Sequence, residues 1–198
     1  NMWRMVDDVW DTWGHVTHLF DICQKWYPYI APGTWPDCDM IPLGRISVRG
    51  ERGNDRMTRL TKDEQYTLMT LFTIFRSPLI FGGDLPSNDA FTLSLLTNKA
   101  VLKMHRESKD VRQLYQKGKK VAITSKDSKT GETYLALFNL SDDKAAQKVS
   151  VSLADLGIKG KCTITDMWSG KKVGTFSKEF SQSFNSHACG LYKLRTIK

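Results

Sequence analysis

The amino-acid sequence predicts an α/β part over residues 1–110, followed by an all-β part over residues 111–198. In the first part, short strand-like segments alternate with amphipathic helical segments, which is typical of a parallel sheet with covering helices. In the second part, short strands follow one another at even spacing with turn residues between them, which indicates an antiparallel β-sandwich. A chain of 198 residues is long enough for two modest domains with buried cores.

A first helix is predicted after Asp8, where apolar residues recur at three- and four-residue spacing. Its apolar face consists of Val9, Trp13, Val16, Leu19, Phe20, Cys23 and Trp26. We expect Asp11 to cap the amino end, because an aspartate side chain accepts hydrogen bonds from the free amides of the first turn. The turn at residues 31–33 ends this segment.

A second helix is predicted from the capping box at residues 61–64, and Ser77-Pro78 ends it. A third helix follows Asp89. Between the first two helices, residues 45–59 are rich in glycine and arginine and show no periodicity, so we predict a long loop. Loops of that length inside a compact domain are usually functional.

Six short strands are predicted in the second half of the chain, with turn signals such as residues 129–132 between them. They are residues 121–124, 134–139, 148–151, 162–166, 178–184 and 190–194.

Composition and charge exclude several classes of protein. No apolar run reaches the roughly 18 residues that span a bilayer, so we expect no membrane insertion. The net charge of +8 makes nucleic acid one class of binding partner to consider. The lysines of the second half lie beside glycines in predicted turns and are not interleaved with aromatic residues. This pattern favours a solvated basic surface, and we expect no nucleic-acid partner.

The four cysteines show no C-x-x-C spacing, and His15 and His18 are explained by solvation on a helix surface. We therefore expect no metal site. We expect the four cysteines to be free, mostly buried thiols. One disulfide between two of them stays an alternative in the sequence.

Acidic residues end three strand-like segments, at residues 3–8, 35–40 and 78–84. Parallel α/β folds place their chemistry at the carboxyl ends of strands. Alternation along a strand gives Arg4 and Asp8 the same face. Carboxylates beside an arginine and tryptophans can hold a sugar and move a proton.

These segments resemble glycoside hydrolase family 27, the α-galactosidase and α-N-acetylgalactosaminidase family. Residues 3–13 are similar to its sixth-strand block, and residues 33–40 to its seventh-strand block, with Pro36 and Cys38 where the family has asparagine and proline. Residues 64–85 resemble the helix and eighth strand that close the barrel. The tail, at residues 166–170 and 187–191, resembles the family's terminal β domain.

The resemblance implies the C-terminal part of a (β/α)8 TIM barrel, strands six to eight, followed by an antiparallel β-sandwich. It assigns Asp8 as general acid/base, Arg4 as a ligand of a sugar hydroxyl, and Asp39 and Met40 as residues that line the same pocket. The reaction implied is retaining hydrolysis of terminal α-galactosides, on an oligosaccharide or glycan. The resemblance implies no organic cofactor.

The family's nucleophilic aspartate belongs to the fourth strand, which this chain lacks. We therefore expect a carboxyl-terminal piece of a longer protein, with the N-terminal remainder of the barrel as its partner. The chain alone is expected to be inactive. The resemblance also implies an extracytoplasmic location, periplasmic or secreted.

Other interpretations of single residues stay open in the sequence. Asp8 could instead interact with a helix dipole. Trp35 could stack on a sugar or pack inside the barrel. Asp37 is expected to be a structural hydrogen-bonder, and His187 is expected to cap a turn of the β domain.

The alternative function is a noncatalytic carbohydrate-binding protein, with the sandwich as binding module. It would need exposed aromatic residues, and we expect most of Tyr115, Tyr134, Trp168 and Tyr192 to lie in the core. The sequence leaves galactose, N-acetylgalactosamine and arabinose open as the recognised sugar.

Overall fold

Two separate pairs of short parallel strands lie in the first part of the chain. The computed structural model describes residues 1–197. Strand β1 (Met2–Arg4) runs parallel to β2 (Trp35–Asp37), and β3 (Met40–Ile41) runs parallel to β6 (Ile80–Phe81). Parallel pairing brings the carboxyl ends of neighbouring strands to one edge, so the acidic segments that follow β1 and β2 meet there.

Four α-helices cover these strands in the described part of the chain. They are α1 (Trp13–Trp26), α2 (Lys62–Phe75), α3 (Ala90–Leu96) and α4 (Lys99–Glu107), with short 3-10 helices at Tyr27–Tyr29 and Leu85–Ser87. Helix α1 buries the face predicted from its spacing, whereas α2 is buried on almost every side because it packs between α1, α4 and the second part of the chain. None of these helices is long and apolar enough to cross a membrane.

The caps of α1 and α2 test two sequence predictions. The capping box is confirmed, since Thr61 Oγ1 accepts from the Glu64 amide at 3.3 Å and Glu64 Oε2 accepts from the Thr61 amide at 2.8 Å. The prediction for Asp11 is wrong, because Thr12 is the N-cap of α1. Asp11 is buried and its carboxylate accepts instead from Arg56, which lies far away in the sequence.

The predicted loop at residues 45–59 contains a small hairpin. Strands β4 (Arg45–Ile46) and β5 (Arg56–Met57) pair antiparallel. Arg45 Nε donates to Asp55 Oδ1 at 2.8 Å across the hairpin, and Ser47 Oγ accepts from the Arg52 amide at 3.0 Å. The prediction of a loop without strands is therefore wrong, because two-residue strands are too short to show any alternation in the sequence.

A six-stranded antiparallel sheet dominates the second part. Its order is β12-β11-β14-β9-β8-β7, and a separate two-stranded sheet pairs β10 with β13. The bounds are β7 (Ser108–Lys117), β8 (Lys120–Asp127), β9 (Thr133–Asn139), β10 (Gln147–Ser152), β11 (Cys162–Asp166), β12 (Lys172–Phe176), β13 (Glu179–Phe184) and β14 (Cys189–Thr196). The predicted sandwich is confirmed, and β7 and β12 are strands that the sequence analysis missed.

The six-stranded sheet is buried on both faces. Along β9, Ala136 and Phe138 pack in the core shared with the helices, and Leu135 and Leu137 pack in the core between the two sheets. Alternation with a period of two produces this division. Phe138 meets Phe20 of α1 edge-on, with ring centroids 4.9 Å apart. The sandwich therefore supports the helices that cover the parallel strands.

His187 connects the sandwich to the helices. Its Nδ1 lies 2.6 Å from Glu64 Oε1 on α2, its Nε2 lies 2.8 Å from Asp142 Oδ1, and its ring stacks on Trp13 with centroids 3.9 Å apart. Its backbone carbonyl also accepts from Thr67 Oγ1 at 2.6 Å. The expected role of this side chain as a turn cap is therefore wrong, since its partners lie on three separate segments.

The sandwich offers no fully exposed aromatic side chain within residues 108–197. Tyr134 and Tyr192 are buried. Tyr115 donates to the Ser150 carbonyl at 2.7 Å, and Trp168 Nε1 donates to Thr70 Oγ1 at 3.0 Å. The expectation that most of these aromatic residues lie in the core is confirmed.

Asp127 organises the turn between β8 and β9. Its Oδ1 accepts from the Thr130 amide at 2.8 Å and the Lys129 amide at 2.9 Å, and its Oδ2 accepts from the Tyr134 hydroxyl at 2.7 Å. These hydrogen bonds, led by that from the Thr130 amide, hold the pKa of the Asp127 carboxyl far below its usual range.

We predict that Asp127→Asn lowers the free energy of unfolding at pH 7 by about 2 kcal/mol. Because the folded pKa is depressed, the carboxylate's contribution is complete above the unfolded pKa of about 3.9 and is lost as pH falls below it. Urea unfolding at pH 7 and pH 3 measures this, and the gap between the two proteins should narrow at pH 3. An equal gap at both values contradicts it. Exposed Asp143 supplies the control, Asp143→Asn.

Candidate active site

Arg4 brings two carboxylates together at the carboxyl ends of β1 and β2. Its Nη2 lies 2.8 Å from Asp8 Oδ1 and 3.1 Å from Asp39 Oδ2. Its Nε donates to the Val6 carbonyl at 2.8 Å, which fixes the guanidinium plane against the chain that follows β1. Arg4 is opposite Asp37 in the parallel register, so one strand pair sets the spacing of the whole cluster.

Asp39 is the most constrained member of this cluster. It adopts φ 72°, a left-handed conformation that is uncommon for residues other than glycine. Its amide donates to Asp37 Oδ1 at 2.9 Å, and its own Oδ2 accepts from the Val9 amide at 2.7 Å. Asp39 therefore ties the β2 side of the site to the segment that carries Asp8.

Asp37 supports the site by accepting a hydrogen bond from the Asp39 backbone. Its side chain is buried, and that burial raises the pKa of its carboxyl. Its hydrogen bond to the Asp39 amide fits the structural function expected from the sequence. Trp35 lies two residues earlier on the same face of β2, beside Met2, at the amino end of the strand. It does not line the cavities that contain Asp8 and is 38% exposed, so sugar stacking and packing inside a barrel both stay predictions.

Asp8 differs from its partners in exposure. Its side chain is 73% exposed, against 17% for Asp39. The polar partner of Asp8 is Arg4. The exposed carboxylate lies where two cavities meet, with volumes of about 660 and 500 Å³.

The 500 Å³ cavity contains most of the predicted site residues. Asp8, Asp39 and Met40 line one side, and residues of the β4–β5 hairpin between Arg45 and Glu51 line the other. Gly82 and Gly83 close the floor after β6, where a side chain on Gly82 would meet Met40 Sδ at 2.5 Å. Arg4 lines the neighbouring 660 Å³ cavity together with His15 and His18.

Sequence reasoning missed several residues that shape this site. His15 Nδ1 accepts from the Trp10 amide at 2.8 Å, so the histidine fixes the segment after Asp8. The Arg56–Asp11 contact, at 2.7 Å, had no local signal because the partners are 45 residues apart. No group of three or more His, Cys, Asp or Glu side chains in the described residues is arranged to hold a metal ion.

The cysteines of the described chain are free thiols. Cys23 and Cys38 are buried with their sulfur atoms 3.7 Å apart, and burial raises the pKa of Cys23 well above its usual value. The Cys38 amide also donates to Ser77 Oγ, just after α2, at 2.9 Å. Cys38, one of the two residues that depart from the family pattern, is thus buried next to the site residue Asp39 in the chain.

Known protein families and structures match the whole chain. Residues 1–107 match the family model described as alpha galactosidase A, and residues 118–194 match the alpha galactosidase C-terminal beta sandwich domain. Alpha-galactosidase 2 of Arabidopsis thaliana is 26% identical over 100% of this chain and 47% of its own length.

Solved structures give the same result. A GH27 β-L-arabinopyranosidase from Geobacillus stearothermophilus is 45% identical with a TM-score of 0.95, over 100% of this chain and 45% of its own. Alpha-galactosidase I from Mortierella vinacea shares the fold, with a TM-score of 0.83 at 18% identity, over 99% of this chain and 53% of its own. The chain thus spans about half the length of these relatives.

We predict that alanine at two neighbouring glycines has different effects. Gly83→Ala places a methyl group 2.1 Å from the Leu43 carbonyl oxygen, which is backbone, and should lower the free energy of unfolding by about 2 to 3 kcal/mol. Gly82→Ala meets only the flexible Met40 thioether and should cost less than about 1 kcal/mol.

Urea unfolding of both variants measures these costs, and a crystal structure of Gly82→Ala should show Met40 in another rotamer, with a smaller cavity. Equal destabilisation by the two substitutions, or an unmoved Met40 side chain, contradicts this account of the cavity floor.

Proposed function

The chain belongs to glycoside hydrolase family 27, and we propose that it supplies the acid/base side of a retaining glycosidase acting on terminal α-galactosides. The observation that carries this proposal is the Arg4–Asp8–Asp39 cluster beside a cavity at the carboxyl ends of parallel strands. In this proposal Asp8 is the general acid/base. Arg4, Asp39 and Met40 bind the sugar.

The exposure of Asp8 suits a group that exchanges protons with substrate and water. In the first step, its carboxyl group would donate a proton to the glycosidic oxygen as the leaving group departs. In the second step, its carboxylate would take a proton from the water that hydrolyses the glycosyl-enzyme ester.

The nucleophile of this reaction is proposed to come from a strand outside the chain. A retaining glycosidase needs a second carboxyl group about 5–5.5 Å from the acid/base. Asp37 is buried under the site, and Asp39 is held by Val9 and Arg4, so neither is free to attack a sugar. The carboxylate that this family carries on its fourth strand would complete the pair.

The N-terminal remainder of the barrel is the proposed partner. Strand β1 pairs only with β2 among the described strands, so its other edge can accept a parallel neighbour. The 660 Å³ cavity is lined by Arg4 at the end of β1 and by the residues that follow it, and the remaining strands of a closed barrel would complete its wall. An extracytoplasmic location, periplasmic or secreted, stays a prediction.

A second candidate substrate is a β-L-arabinopyranoside. The identity of 45% to a β-L-arabinopyranosidase structure exceeds the 26% to the plant alpha-galactosidase. The two sugars share the configuration of their ring hydroxyls and differ in the hydroxymethyl group at C5 of galactose. A site that hydrogen-bonds this hydroxymethyl should prefer the galactoside by at least about 10-fold.

We predict that the full-length protein hydrolyses p-nitrophenyl α-D-galactoside and that Asp8→Asn lowers kcat about 10²- to 10⁴-fold. The 198-residue chain alone should be inactive because it lacks the nucleophile. Azide needs no general base, so it should restore turnover of Asp8→Asn and yield a glycosyl azide. Exposed Asp143, in the sandwich, supplies the matched control Asp143→Asn.

A fully active Asp8→Asn variant would contradict the role of Asp8. The same assay with p-nitrophenyl β-L-arabinopyranoside decides between the two candidate substrates. A higher kcat/KM on the arabinopyranoside than on the galactoside would identify the β-L-arabinopyranoside as the preferred substrate. Sugar binding without turnover of any glycoside by the full-length protein would favour the noncatalytic carbohydrate-binding alternative.

A further inference from the structure

An ion pair between buried Asp11 and half-buried Arg56 joins the β4–β5 hairpin to the segment that carries Asp8. Asp11 is 1% exposed, and its Oδ1 lies 2.7 Å from Arg56 Nη2. Its other oxygen accepts from the Arg59 amide at 2.9 Å. Both carboxylate oxygens of Asp11 are therefore bonded to the hairpin and the residues that follow it.

Arg56 also holds the hairpin itself. Its Nη1 donates to the Arg52 carbonyl at 2.8 Å and to the Asn54 carbonyl at 3.1 Å. One planar guanidinium thus fixes the return of the hairpin and its attachment to Asp11. A lysine ammonium in the same place could neutralise Asp11 but has no planar fork to make these contacts together.

The hairpin forms one wall of the 500 Å³ cavity. Its base is fixed to the strand edge, because the Asp84 amide donates to the Arg45 carbonyl at 2.7 Å and the Thr58 amide donates to the Gly44 carbonyl at 2.8 Å. Its far end is held by Arg56 and by Ser47, whose Oγ accepts from the Arg52 amide at 3.0 Å and donates to the Gly53 carbonyl at 2.8 Å. Within the described residues, the Asp11–Arg56 contact is the ion pair that links this hairpin wall to the segment that carries Asp8.

The segment between Asp8 and Asp11 transmits this constraint. The Val9 amide is bonded to Asp39, and the Trp10 amide is bonded to His15. Asp11 is three residues from Asp8, with both intervening amides held, so a displaced Asp11 would move the segment that presents Asp8.

We propose that Arg56 and Asp11 are positioning residues, which hold the hairpin wall in register with Asp8 and thereby set the substrate position. This inference rests on the proposed glycosidase function. Neither residue lines the cavities beside Asp8, so the two act through the wall and the segment that they join.

The test uses the full-length protein with Arg56→Lys, Arg56→Met, Asp11→Asn and the double variant Asp11→Asn/Arg56→Met. Arg56→Lys keeps Asp11 paired, so its melting temperature should stay near that of the wild type. Its kcat/KM should fall about 10-fold or more, mainly through a higher KM, because small misplacements of substrate are costly. The control Arg195→Gln removes an exposed arginine–carboxylate pair in the sandwich and should change neither value.

Three outcomes would overturn the proposal. Arg56→Lys could keep both the melting temperature and the KM of the wild type, which would mean that Arg56 only neutralises the buried charge of Asp11. The loss of kcat/KM in Asp11→Asn/Arg56→Met could equal the product of the losses in the two single variants. If Asp11 and Arg56 act as one unit, the double variant should lose no more than the worse single variant. The activity of the folded fraction could be unchanged in every variant.

Amide hydrogen exchange gives a readout that does not need activity. In Arg56→Lys, residues 45–57 and residues 9–12 should lose protection together, because the ion pair couples them. Loosening of the hairpin alone contradicts the proposal. If the wild-type protein shows no glycosidase activity, the proposed function fails, while the exchange result still decides whether Arg56 couples the two segments.

Discussion

The contact of one guanidinium with two carboxylates is the interaction on which the site depends. Asp8 and Asp39 follow different strands, and each has an oxygen within 3.1 Å of Arg4 Nη2. Without a cation between them, two like charges would resist this approach. The left-handed backbone of Asp39 and its bond to Val9 then fix the second carboxylate, while Asp8 keeps most of its surface free.

The six-stranded sheet makes this arrangement possible in a chain that contains only part of a barrel. One face of this sheet packs against the β10–β13 sheet, and the other face packs on α1 and α2. Helix α2 is buried almost completely as a result, with His187 bridging to its first turn through Glu64. Burial of apolar surface stabilises a fold by roughly 25 cal/mol per Å². The core that the sheet shares with α1 and α2 therefore makes the sandwich a structural support for the parallel strands.

The sequence predicted what is encoded locally or in a contiguous motif. The capping box at Thr61, the buried face of α1 and the approach of Arg4 to Asp8 and Asp39 follow from short-range spacing or from the family blocks. Strands β4 and β5 were missed because two residues cannot show a period.

Long-range partners explain the remaining errors. Asp11 has the sequence signature of a cap, and a half-buried arginine 45 residues away gives it another function. His187 has the signature of a turn residue, yet its partner Glu64 is 123 residues away. A charged side chain that enters the core must find a partner there, and sequence alone does not say which partner it finds.

The most direct measurement is a crystal structure of full-length Asp8→Asn with an α-galactosyl disaccharide bound, because a sugar leaving group needs the general acid and the intact glycoside is therefore trapped. We expect the side-chain amide at position 8 to lie within about 3.2 Å of the glycosidic oxygen, with sugar hydroxyls on Arg4 and Asp39. We also expect a carboxylate from the preceding part of the barrel about 5–5.5 Å from the side chain at position 8. A galactoside bound to the sandwich, or one whose glycosidic oxygen faces away from position 8, would rule out Asp8 as the general acid/base.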